Sequence, residues 1–150
     1  MMGSRWVVSS SSCLSPIGGL NLPPSFWYSG QMHEETAEFV ATLLHSSTVT
    51  HFMHWATDSY AKHQALGEYY DTIIELTDQF AEAYMGRYEQ LKEFPSEFHE
   101  ADDPVKYLEG MKDFVAEARK ELPQDTELQN IIDEIADLIN STLYKLRFLN

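Results

Sequence analysis

The sequence predicts an all-α chain folded as a four-helix bundle, two helical hairpins joined by one long crossover. Three observations carry this. Four stretches repeat apolar residues at helical spacing; the links inside each pair of stretches are short and polar; and the link between the pairs is a Pro-containing segment of roughly 12 residues. A helix with one apolar stripe cannot bury it alone, so four such helices are expected to close on a shared core.

The elements follow in order. Residues 33 to about 57 form a first helix, with Phe39, Val40, Leu43, Leu44 and Phe52 recurring at helical spacing and Glu34 and Glu35 suiting its start. Thr57-Asp58-Ser59 is turn-prone, and Ser59 is positioned to cap a second helix from Tyr60 to about Leu91. The stripe of that helix is Leu66, Tyr69, Ile73, Leu76, Phe80 and Tyr84. Residues 93–103 (EFPSEFHEADD) break the period, and Asp103-Pro104 opens a third helix, Pro being favoured at the first helical position. Val105, Leu108, Met111, Phe114 and Val115 face inward along it, and Leu122-Pro123 ends it. Thr126 and Gln129 have capping-box spacing at the head of a fourth helix, whose buried face is Ile131, Ile132, Ile135, Leu138, Ile139 and Leu143. Short links make each pair an antiparallel hairpin. The crossover, extended, reaches about 40 Å, enough to run the length of a bundle. That is the ferritin-like arrangement; a plain up-down bundle with a loose loop is the competing one.

Composition narrows the function. The 150 residues hold 24 Asp and Glu against 10 Lys and Arg, a net charge of −14. Phosphate binding needs clustered cations, so direct nucleic-acid binding and electrostatic membrane attachment are not expected. A soluble protein, or one that gathers cations, is. Residues 1–31 contain no Asp or Glu, and carry a Ser run (Ser9–Ser12) with Pro16, Pro23 and Pro24. They read as a disordered or loosely docked arm, or as sequence upstream of a natural start at Met32, with the bundle occupying 32–150. Cys13 is the one cysteine and sits in that arm, so an intramolecular disulfide and a thiolate zinc cage are excluded.

The chemistry-bearing residues gather on the first two helices. His51, His54 and His63 flank the turn between them, and imidazole suits iron, zinc or copper. On the second helix His63, Gly67, Asp71, Glu75, Asp78 and Glu82 share one face, away from the apolar stripe. Most such acidic faces are simply solvated. Asp78 lies about 22 Å along the helix from His63, so one ion cannot bind both within a single chain. A site that uses both needs two copies with their second helices antiparallel across a two-fold axis.

The stretch from Thr50 to Glu82 resembles the Dps family of miniferritins. Thr50-His51-Phe52-Met53-His54-Trp55 is similar to the T-H-x-x-H-W at the end of that family's first helix. His63, Asp78 and Glu82 match a His followed by an Asp and a Glu fifteen and nineteen positions on. The resemblance implies a ferroxidase centre between subunits. His54 and His63 of one chain would bind iron with Asp78 and Glu82 of another, and His51 would be a supporting or alternative ligand. It also implies a homo-oligomer, a two-fold dimer at least and up to a hollow dodecamer, that oxidises Fe(II) and stores the ferric product; another divalent metal is the other cofactor reading. The sequence departs from the family in three places. Gly67 stands where the family has an Asp ligand, the stretch from His54 to His63 is shorter, and the Lys-rich arm is missing. The whole chain also resembles small ferritin-like proteins of tailed phages, which would place it in the cytoplasm of a bacterial host.

Two functions therefore stand side by side: a metal-binding miniferritin with ferroxidase activity, and a non-enzymatic phage-related module whose ferritin-like fold has lost the site. An acidic mimic of DNA is a variant of the second.

Overall fold

A computed structural model describes residues 24–149, and they form four helices. These are α1 (Pro24–Ala56), α2 (Tyr60–Arg87), α3 (Pro104–Glu121) and α4 (Thr126–Phe148). The expected four-helix bundle is present, and no strand occurs among the described residues. α1 packs on α2 and α3, and α4 packs on the same two, so α1 and α4 lie on one diagonal of the bundle.

The caps explain most boundaries. The Ser59 hydroxyl accepts from the Lys62 amide at 3.3 Å and opens α2. The Asp103 carboxylate accepts from the Val105 and Lys106 amides at 3.0 and 3.1 Å, with Pro104 contributing no amide that would need a partner. At α4 the expected capping box is absent. Asp125 is the residue before the first turn and makes no side-chain cap bond. The Gln129 amide instead donates to the Arg119 and Pro123 carbonyls, which ties α4 to the end of α3.

Two boundaries differ from the sequence reading. α2 ends at Arg87, four residues early, because Tyr88 leaves helical geometry at φ −115°, ψ −101°. α1 begins at Pro24, so residues 24–31 of the expected arm are helical, and residues 1–23, with Cys13, lie outside the described residues. Pro24 stands at the first helical position, where its fixed φ and missing amide cost nothing.

The core runs the length of the bundle. Phe39 of α1 meets Phe80 of α2 edge-on at 5.1 Å and stacks on Phe114 of α3 at 6.0 Å. Tyr69, Tyr84, Leu108, Met111, Ile132 and Ile135 are fully enclosed. Phe52 and Leu44, expected inward, are instead 54% and 39% exposed. Among the described residues α1 is in contact with two helices only, and positions at the edges of its stripe are left exposed.

Residues 88–103 cross from one end of the bundle to the other. The far end of α2 meets the start of α4 through Arg87 and Asp125 at 2.7 Å, while the start of α3 shares a cleft with Met53, Thr57 and Lys62 at the α1–α2 turn. The crossover is held by buried Leu91 and by His99, whose Nε2 is hydrogen bonded to the Tyr107 hydroxyl at 2.9 Å. Burial, and then the facing His45, hold the His99 imidazole below its ordinary range. The unfolded chain therefore takes up this proton first as pH falls, and the stability tied to His99 is complete above about pH 6.5 and drains away below it. The denaturation midpoint of the wild type is expected to fall more steeply between about pH 7 and pH 5 than that of His99→Gln. Parallel profiles for the two proteins would remove His99 from the account.

Candidate metal centre at the α1–α2 turn

The α1–α2 hairpin sets the site. Its register is fixed upstream by buried hydroxyls: Ser46 is hydrogen bonded to the Tyr69 hydroxyl at 2.9 Å, and Ser47 donates to the Tyr70 carbonyl at 3.1 Å. Followed to the turn, the same register brings His54, in the last turn of α1, against His63, in the first turn of α2. The two imidazoles stack with centroids 3.6 Å apart and planes 23° from parallel.

The pair is bonded reciprocally. His54 Nδ1 lies 2.7 Å from the His63 carbonyl oxygen, and His63 Nδ1 lies 3.0 Å from the His54 carbonyl oxygen. A carbonyl can only accept, so each Nδ1 carries the proton and donates, and in the neutral ring each Nε2 keeps a lone pair in the ring plane. The His54 carbonyl is one of the last in α1 and has no partner within its own helix; the His63 ring supplies one. This is the orientation in which metal-binding histidines are commonly held, one nitrogen donating to a carbonyl and the other free to bind.

Gly67 completes the arrangement. A Cβ there would lie 3.3 Å from His54 Cε1 and 3.4 Å from His54 Nδ1. The missing side chain is the space into which the His54 ring fits and through which it reaches the His63 carbonyl. The Asp expected at this position by the miniferritin resemblance is thus replaced by a histidine from the other helix.

His51 flanks the pair without joining the stack. Its ring stacks on Tyr70 at 3.9 Å and contacts Trp55 at 4.3 Å, with the His54 ring at 5.9 Å. Tyr70 also meets His54 edge-on at 5.3 Å. Trp55 lies one turn from His51 on α1, whereas Tyr70 is a neighbour that spacing alone did not single out; the hairpin register, held by Ser47 and the Tyr70 carbonyl, brings it there.

Asp78 and Glu82 are exposed, farther down α2, and belong with exposed Asp71 and Glu75. These four acids make no ion pair among the described residues, whereas Glu68 beside them pairs with Lys145 of α4. The chain therefore brings His54 and His63 together, places His51 next to them, and keeps Asp78 and Glu82 away. Among the described residues no three His, Cys, Asp or Glu side chains converge to hold an ion. The donor chemistry of the histidine pair still fits a metal.

No helix among the described residues is long and apolar enough to cross a membrane. No solved structure matches the chain. It is 29% identical over 113 residues to a protein of Enterobacteria phage T4, described as an uncharacterized 14.6 kDa protein in the mobD-ri intergenic region. That alignment covers 73% of this chain and 85% of the phage protein. The expected phage connection thus has a relative behind it, and the miniferritin likeness rests on its motif alone. The profile of a family of unknown function, DUF5856, matches residues 54–146, from His54 of the stacked pair through nearly all of α4, and the chain belongs to that family.

Proposed function

We propose that this protein is a metal-binding helical bundle that works as a homo-oligomer, with Fe(II) as its substrate at centres shared between two copies. The observation that carries the reading is the locked pair of imidazoles, each with Nδ1 committed to a carbonyl and Nε2 left to bind. Asp78 and Glu82 of a second copy supply the carboxylates that one chain cannot bring to His54 and His63. Imidazole and carboxylate together suit iron, and negative ligands favour the ferric product. The net charge of −14 draws cations to such a surface. A phage-encoded protein of this kind would act in the host cytoplasm, without touching nucleic acid.

The test is growth of ferric absorbance after Fe(II) and peroxide are mixed with the protein. Growth faster than in buffer is expected, with His63→Ala and Asp78→Asn each reducing it to the buffer rate. A wild type no faster than buffer would sink the reading.

A second reading is favoured by one observation: the two histidines already satisfy each other. On that reading the pair is a clasp for the hairpin in a non-enzymatic phage protein. His63→Ala would then lower stability and leave metal binding, measured by calorimetry, at zero in both proteins.

A further inference from the structure

We propose that the outward face of α1 from Leu44 to Trp55 is a self-pairing surface, on which two copies of the chain meet antiparallel about a two-fold axis at Thr48. The pairing realises the homo-oligomer of the reading above and uses none of its metal chemistry. From Phe39 to Thr57 there is no Asp, Glu, Lys or Arg, in a chain that is 23% charged. No other helix among the described residues has a run of that length without charge. A helix that lacks a polar side is ordinarily covered all round. Here the inward residues of α1 pack on α2 and α3, while Leu44, Thr48, Phe52 and Trp55 stay exposed, Trp55 at 66%. These four fall within about 80° of one another around the helix, so they form one stripe. Rings carry it across the seam: Trp55 contacts Phe52 at 6.1 Å and His51 at 4.3 Å, and His51 stacks on Tyr70 of α2. A continuous exposed apolar patch of this kind marks a contact surface, where single scattered apolar residues would not.

Charge says what covers it. The outward positions of α2 and α4 are acidic, among them Asp71, Glu75, Asp133 and Asp137. A basic partner would be drawn to those faces and would gain nothing from this one. A chain at −14 is repelled by its own copy wherever carboxylates meet, and the α1 stripe is where they do not. A second copy also brings the identical face that a two-fold contact requires. The stripe is spaced for it. Leu44 and Phe52 lie one turn before and one turn after Thr48, so antiparallel pairing sets Leu44 of each copy beside Phe52 of the other. Thr48 is small, which lets the helices close at the axis. The acids that bound the run, Glu38 and Asp58, are each ten residues from Thr48, about 15 Å along the helix. Carboxylates thus ring the contact without entering it, and salt that screens them should tighten the pair.

Sedimentation velocity on the full chain, run as a concentration series in chelator, separates the outcomes. A metal-free dimer is expected, and raising NaCl should strengthen it. Thr48→Glu, altered only at an exposed position, sets two carboxylates at the axis and should weaken the dimer about tenfold or more. Its urea midpoint, followed by helical circular dichroism, should stay at the wild-type value, which separates lost pairing from lost folding. Cross-linking reads the orientation. With Cys13→Ser as background, Thr48→Cys should give a disulfide-linked dimer on mild oxidation, and Lys112→Cys, exposed on α3, should not. A dimer that is loosened by salt, that ignores Thr48→Glu or that fails to cross-link through position 48 would overturn this interface and leave the metal reading standing. A chain that is monomeric throughout would overturn both. A dimer that behaves as expected but adds nothing to the rate of Fe(II) oxidation would keep the interface and end the metal reading.

Discussion

Phe39→Ala is expected to lower stability by about 3–5 kcal/mol, among the largest losses available to a single change in this chain. Phe39 has no exposed surface and is the side chain through which α1 grips both of its neighbours, Phe80 of α2 and Phe114 of α3. Truncation removes the transfer energy of the ring and leaves a void that three helices would have to close at once. A domain of this size has about 5–15 kcal/mol in total, so a large share is lost. Urea denaturation followed by helical circular dichroism measures it. A loss below about 1 kcal/mol would mean that α1 is not held by this contact.

Gly67→Asp, which restores the residue expected by the miniferritin resemblance, is expected to cost about 1–3 kcal/mol and to add no metal affinity. The new Cβ would press on His54 at 3.3 Å, and His54 cannot retreat without giving up its hydrogen bond to the His63 carbonyl and its stack on the His63 ring. The added carboxylate also falls one turn from Asp71, a like-charge pair. Proton NMR of the two imidazoles reports the stack directly, through the mutual ring-current shifts of their carbon-bound protons. Shifts kept intact in a variant as stable as the wild type would show that Gly67 is not the seat of the His54 ring.

The bundle was legible because its signals are repetitive. Each stripe of α2, α3 and α4 restates the helical period several times, and Asp103-Pro104 and Leu122-Pro123 punctuate it at the right places. What was not legible depends on single contacts. Pro24 falls in the stretch that reads as an arm because Pro marks both loops and first helical turns, and α1 has no acid in its first turn to decide between them. Phe52 and Leu44 fit the period of α1 but lie beyond the edge of what two neighbours can cover. Thr126 and Gln129 had capping-box spacing, yet Gln129 found better partners in the carbonyls at the end of α3. At the candidate site the histidines were found by residue type, and the distance from His63 to Asp78 followed from helix rise. The seat at Gly67 was read as a lost ligand. A glycine that replaces a ligand and a glycine that admits a ring look the same in one sequence, and only the register of the opposite helix tells them apart.

The polar contacts along the α1–α2 seam have a consequence for folding. If α1 slides past α2 by one helical turn, about 5.4 Å, the apolar stripes stay roughly in phase and hydrophobic burial changes little. The slide breaks Ser46 from Tyr69, Ser47 from the Tyr70 carbonyl, and both imidazole–carbonyl bonds at the turn together. These four bonds lie at two heights on the seam, the two serines at one and the histidine pair at the other, and the slide keeps neither set. Apolar surface makes the hairpin close, and hydroxyls and imidazoles decide where it stops, as the teeth of a ratchet do.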